Sequence, residues 1–114
     1  MSVFEAKNKE DYVNLLKKHE KCIVDFYGEW CGPCTKLSGN INKITEELKN
    51  VVVIKVNVND LDDIAEIYNV TVIPHIIFYH KGKLNEKYLQ SSDYQDIISL
   101  AKDLFIEKEI IDKE

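Results

Sequence analysis

Val24-Asp25-Phe26-Tyr27-Gly28-Glu29-Trp30-Cys31-Gly32-Pro33-Cys34 is the stretch on which the reading of this chain turns. Its first four residues continue an apolar run that begins at Cys22, the mark of a strand covered on both faces. One acid, Asp25, interrupts that run. The strand gives way to two cysteines separated by Gly-Pro, with helical spacing behind them. A cysteine at a strand-to-helix junction meets backbone N–H groups that favour its thiolate. The second cysteine lies one helical turn on, close enough to close a disulfide with the first. Dithiol chemistry at Cys31 and Cys34 is the reading that the rest of the chain has to support.

The flanking chain supplies an α/β frame. Val3 to Ala6 predicts a short strand, and Asn8 caps a helix that buries Tyr12, Leu15 and Leu16 and ends at His19. Behind Cys34, Leu37, Ile41, Ile44 and Leu48 recur at helical spacing, so one helix is predicted to run to about Asn50. Val51 to Asn57 reads as a second buried strand, again with a single charge, Lys55. Asn59 and Asp60 are candidate caps for a short helix with Ile64, Ile67 and Tyr68 inside, leaving through a left-handed Asn69. Ile73-Pro74 then precedes the strand Ile76 to Tyr79, and a proline there is confined to the first strand position or a special turn. Lys81-Gly82 turns a hairpin whose return strand is read from Leu84 to Leu89. Ser92 with Gln95 forms a capping box for a last helix through Phe105, and the charged run Glu107 to Glu114 is expected to fray. This β-α-β-α-β-α-β-β-α order predicts one domain over residues 1–114, with a mixed sheet between helices. Functional residues in such sheets gather beyond the carboxyl ends of strands, which is where Cys31 falls.

Composition narrows the function further. The chain has 114 residues, no arginine and a net charge of −5, so it carries no electrostatic footprint for nucleic acid. No apolar run approaches a membrane span, and charge comes too early for a secretory leader. Three cysteines, one pair plus Cys22, suit a reducing compartment better than a secreted disulfide scaffold. A cytoplasmic location is expected, organellar if a leader has been removed.

On Asp25, Trp30-Cys31-Gly32-Pro33-Cys34, Lys55, Ile73-Pro74 and the Lys81-Gly82 hairpin, the chain resembles the thioredoxin family over essentially its whole length. The resemblance implies the thioredoxin fold, a central mixed sheet of about five strands flanked by four helices, with a cis bond at Pro74. It also implies a protein disulfide reductase that acts on disulfide-containing proteins and is re-reduced by thioredoxin reductase from NADPH; a monomer that holds no cofactor or metal itself is expected. In the family's terms Cys31 is the nucleophile, Cys34 resolves the mixed disulfide, Asp25 accepts its proton and Lys55 is the partner of Asp25. Trp30, Gly32, Pro33, Ile73, Pro74 and Gln90 would line the substrate surface, with the backbone of Ile73 pairing an extended substrate strand.

Three competing readings accompany this one. His19, Cys22, Cys31 and Cys34 make a zinc-type ligand set on paper. An extended strand, however, puts Cys22 and Cys31 roughly 20 Å apart, far beyond a shared metal. An oxidase or isomerase would use the same cysteines in the opposite direction, though Gly-Pro between them favours reduction. A binding subunit would use the Trp30/Pro74 surface without turnover. The departures from the family pattern are Thr35 for a basic residue, Gly39 for a helix-kinking proline, His75 for threonine, and Gln90 for a glycine beside the substrate backbone. Thr35 removes a positive charge near the thiols, Gly39 is a second way to bend the helix, and Gln90 is expected to narrow the set of partners. Cys22 is read as a buried small apolar residue.

Overall fold

In the computed structural model, residues 2–106 are described. Strand β1 is Val3–Glu5, helix α1 Lys9–Lys18, β2 Lys21–Tyr27, α2 Gly32–Ser38 and α3 Ile41–Glu47. They are followed by β3 Val51–Asn57, α4 Asp62–Ile67, β4 His75–His80, β5 Lys83–Leu84 and α5 Tyr94–Leu104. The five strands form one sheet in the order β1-β3-β2-β4-β5. β3 is parallel to both β1 and β2, β4 is antiparallel to β2, and β5 is antiparallel to β4.

The buried runs that mark β2 and β3 sit at the centre of this sheet because both of their faces are covered. Alternation along β2 sends Ile23 into a core shared with Leu37, Ile44, Phe78 and Ile97, beneath α2, α3 and α5. Cys22, Val24 and Phe26 go to the other face, where Tyr12, Leu61 and Ile64 from the α1 and α4 side meet them. Asp25, in phase with Ile23, therefore lies on the α2 side. So does Lys55, in phase with Val53.

Several local expectations hold as read. Asn8 Oδ1 accepts the Asp11 N–H at the start of α1, Asn69 has a left-handed φ of 54°, and Ile73-Pro74 is cis. Lys81 and Gly82 both have positive φ, 54° and 79°, the pairing that a type I′ hairpin requires.

Four details differ. The long helix after Cys34 is broken into α2 and α3 at Gly39-Asn40, so the four helical arms of the fold include one in two pieces. The break does not use glycine's freedom: Gly39 is right-handed helical at φ −66°, and Asn40 leaves the helix at φ −116°, ψ 7°. The return strand is only two residues long, because Asn85 Oδ1 accepts the Lys87 N–H and lifts the chain off β4 until Leu89 pairs again with Ile76. Asp93, one residue beyond Ser92, caps α5 through the Gln95 N–H. At α4 the N-cap is Leu61 with no side-chain bond, while Asn57 Oδ1 takes the N–H groups of Asn59 and Asp60. The segment expected to fray, Glu107 to Glu114, lies outside the described residues.

Candidate active site

At the end of β2 the chain passes Gly28 and turns through Trp30, which has a positive φ of 59°. Cys31 is the N-cap of α2, and its Sγ accepts the Cys34 N–H at 3.2 Å. Pro33 occupies the first turn, where its missing N–H leaves no bond unmade. Cys31 and Cys34 are joined as a disulfide, with Cα atoms 5.2 Å apart. Cys31 is half-buried and Cys34 is buried, so Cys31 is the more accessible residue of the pair. Thr35 bonds locally, its hydroxyl donating to the Cys31 carbonyl at 3.1 Å.

Ile73-Pro74 faces the disulfide. The Ile73 carbonyl oxygen lies 3.9 Å from Cys31 Sγ, and Pro74 is buried behind it. Gly28 makes this close approach feasible: a Cβ there would lie 2.7 Å from Ile73 Cδ1 and 3.3 Å from Asn59 Oδ1. Sequence reading gave Gly28 no role, although a glycine ending a buried strand is itself a sign of close backbone approach. Trp30 stands next to the disulfide, fully exposed at 101 %, and Gly32 is open, with nothing within 4 Å of a Cβ placed on it.

On the α2 side of the sheet, Asp25 is 1 % exposed, and its Oδ1 has no hydrogen-bond partner. Burial raises its pKa from 3.8 to about 6, against a lowering by Lys55 and with a further rise from Glu5. Lys55 pairs with Asp25 in the β2–β3 register. Among the described residues, however, no ion pair joins them. The ammonium donates instead to Ser38 Oγ at 3.1 Å and stands 4.6 Å from the centre of the Tyr27 ring. Tyr27 and Ser38 thus belong to the surroundings of Asp25, which sequence reading did not foresee.

The rim beyond Pro74 is built from His75, Tyr88 and Gln90. His75 is 5 % exposed, and burial lowers its pKa. Its ring stacks on Tyr88 at 4.9 Å with 5° between the planes, and its Nδ1 accepts from Gln90 Nε2 at 3.4 Å. These residues line an open groove of about 440 Å³ together with Ile67 and Thr71. Cys22 lies apart from the site. Its thiol donates to the His19 carbonyl at 3.3 Å, and burial pushes its pKa up to about 11. Among the described residues no three His, Cys, Asp or Glu side chains are grouped to hold a metal, and no helix is long and apolar enough to cross a membrane.

A family model described as Thioredoxin matches residues 3–103 of the chain. The chain belongs to the thioredoxin family. Thioredoxin from Mycoplasmoides gallisepticum is 35 % identical over 80 residues, which cover 70 % of this chain and 80 % of that protein. Thioredoxin-2 from Pyricularia oryzae is 32 % identical over 83 residues, 73 % of this chain but only 48 % of that longer relative. Among solved structures, mitochondrial thioredoxin 3 of Saccharomyces cerevisiae in its oxidised form has a TM-score of 0.81 at 27 % identity, covering 90 % of this chain and 95 % of its own. A second match comes from work on thiol resolution in a yeast mitochondrial 1-Cys peroxiredoxin. It has a TM-score of 0.81 and 26 % identity, and covers 90 % of this chain and 95 % of that one. Thioredoxins are disulfide oxidoreductases, and this member of the family is a dithiol–disulfide reductase with a disulfide-forming pair at Cys31 and Cys34.

Proposed function

We propose that the protein reduces disulfides in other proteins by a two-step exchange, with Cys31 attacking and Cys34 resolving. The Cys31 thiolate bonds to one sulfur of the substrate disulfide and expels the other as a thiolate. Cys34 then gives its proton to the Asp25 carboxylate and attacks Cys31 Sγ. The Cys31–Cys34 disulfide closes and the second substrate thiolate leaves. The substrate has gained two electrons and the protein has lost two. The observation that carries the assignment is the asymmetry of the pair: Cys31 is half-buried and accessible to a partner, and Cys34 is buried. The Cys34 N–H on Cys31 Sγ favours a thiolate at the outer position. A pKa of about 6 suits Asp25 to hold and release a proton near neutral pH.

Trp30, Gly32, Pro33, Ile73, Pro74 and Gln90 form the substrate surface in this reading, and an extended substrate segment pairs with the Ile73 backbone. The protein works as a monomeric single domain over residues 1–114, in the cytoplasm or, after loss of a leader, in an organelle. Thioredoxin reductase returns its electrons. The peroxiredoxin context of one structural neighbour supports enzyme disulfides as a substrate class. A narrower service to one or two partners is favoured by Gln90, which adds a side chain beside the groove and is tied to His75.

The test is Cys34→Ser. Mixed with a disulfide-bonded test protein, this variant accumulates a one-to-one adduct through Cys31, while Cys31→Ser accumulates none. The reverse pattern, or no adduct with either, overturns the assignment. The number of cellular proteins trapped on Cys31 separates a general reductant from a dedicated one.

A further inference from the structure

One rung of the sheet brings three charges side by side. Glu5 on β1 pairs with Lys55 on β3, and Lys55 pairs with Asp25 on β2. The ammonium thus has an acid on each side, and among the described residues it forms an ion pair with neither. Its two close partners are neutral: the Ser38 hydroxyl at 3.1 Å, on α2, and the face of the Tyr27 ring at 4.6 Å. The ring is itself tethered, because the Tyr27 hydroxyl donates to Glu5 Oε2 at 2.7 Å. The same bond engages Glu5.

We infer that Ser38 and Tyr27 are positioning residues that hold the Lys55 ammonium short of an ion pair with Asp25, leaving Asp25 able to take up a proton at neutral pH. The inference rests on the reading of Asp25 as proton acceptor and deepens it by naming what sets its proton affinity.

Two limits show why the position of the ammonium matters. In contact with Asp25, it would favour the ionised carboxylate further against the effect of burial, making it a weaker base for a thiol proton. With the ammonium absent, burial alone would keep the carboxyl protonated, with no base available. An ammonium nearby but out of contact gives the intermediate case. The groups facing Asp25 are Lys55 from β3, Glu5 from β1 and Tyr27 on its own strand, while its β4 neighbour Ile76 is apolar. Burial is the largest influence, Lys55 opposes it and Glu5 adds to it. A hydroxyl and an aromatic face are suited to the holding role because they anchor an ammonium without cancelling its charge. A carboxylate at either place would anchor it too, but would remove its influence on Asp25.

The experiment is an NMR titration of the Asp25 carboxyl carbon in the oxidised protein, where Cys31 and Cys34 carry no thiol. Ser38 is exposed, so Ser38→Ala leaves the core untouched; Tyr27→Leu removes the ring. Each variant is expected to lower the Asp25 midpoint by about 1 pH unit as the ammonium moves in. Lys55→Gln raises the midpoint, and in its presence Ser38→Ala has no further effect. An unchanged midpoint in both variants, or a shift that persists without Lys55, overturns the inference. The titration is independent of turnover. A catalytic role for Asp25 fails separately, if Asp25→Asn reduces protein disulfides at the wild-type rate.

Discussion

Replacing Asp25 with alanine should stabilise the protein at neutral pH and destabilise it in acid. Asp25 is 1 % exposed, so solvent screening does not discount the effect. Its pKa is 3.8 in the ordinary state and about 6 in the fold, raised by burial against the opposing charge of Lys55, with Glu5 adding to the rise. Below pH 3.8 the folded and unfolded chains both hold the proton, and no charge is buried. Between 3.8 and about 6 the unfolded chain ionises first, so stability falls as pH rises. Above about 6 the folded state carries the full cost of the buried carboxylate. The interval, at about 1.36 kcal/mol per pH unit, comes to roughly 3 kcal/mol. Alanine also leaves a small void, which costs on the order of 1 kcal/mol at every pH. The variant should therefore be about 2 kcal/mol more stable than the parent at pH 7.5 and about 1 kcal/mol less stable at pH 3.5. Urea unfolding of the oxidised proteins across this range measures the difference. Backbone circular dichroism is the probe of choice, since Trp30 is already fully exposed in the fold. A difference that does not change with pH, or one that turns in favour of the parent as pH rises through 4 to 6, refutes the reasoning.

Gln90→Gly should raise the rates at which unrelated protein disulfides are reduced, several-fold on the scale of about 1 kcal/mol of relieved contact, and leave reduction of a small aromatic disulfide unaltered. An unaltered ratio between the two kinds of substrate counts against Gln90 as a filter on partners. Gly28→Ala should cost about 1 kcal/mol of stability, because its Cβ meets Ile73 Cδ1 at 2.7 Å and one of them must shift. Displacing Ile73 should raise KM for protein substrates more than it lowers kcat, and equal KM values would show that Ile73 yields without moving its backbone.

Much of this molecule was legible along the chain, because many of its signals are short-range. The apolar runs of β2 and β3, the Asn8 cap, the left-handed Asn69 and the I′ turn at Lys81-Gly82 each depend on residues within a few positions of one another. The closeness of Cys31 and Cys34 is likewise local, since one helical turn sets it. Where the reading missed, two local options were nearly equal and the surroundings chose between them. Ser92 and Asp93 are both good caps, and Asp93 won while the Ser91 hydroxyl, accepting the Asp93 N–H, bridged to Asp96. Gly39 and Asn40 both interrupt a helix, and the break came through Asn40.

By itself, then, the sequence determined the α/β order, the position of the dithiol at the end of a buried strand, and the presence of one acid and one ammonium on the central strands. Tertiary structure alone decided how closely Ile73 approaches Gly28, that His75 is pinned between Tyr88 and Gln90, and that Lys55 turns to Ser38 and Tyr27 in preference to Asp25. The reason is one of scale. Backbone conformation is set by steric rules that act over a few residues. The partner of a long, flexible ammonium is set by differences of an ångström or two among groups that come from four separate segments and meet only after the sheet has formed.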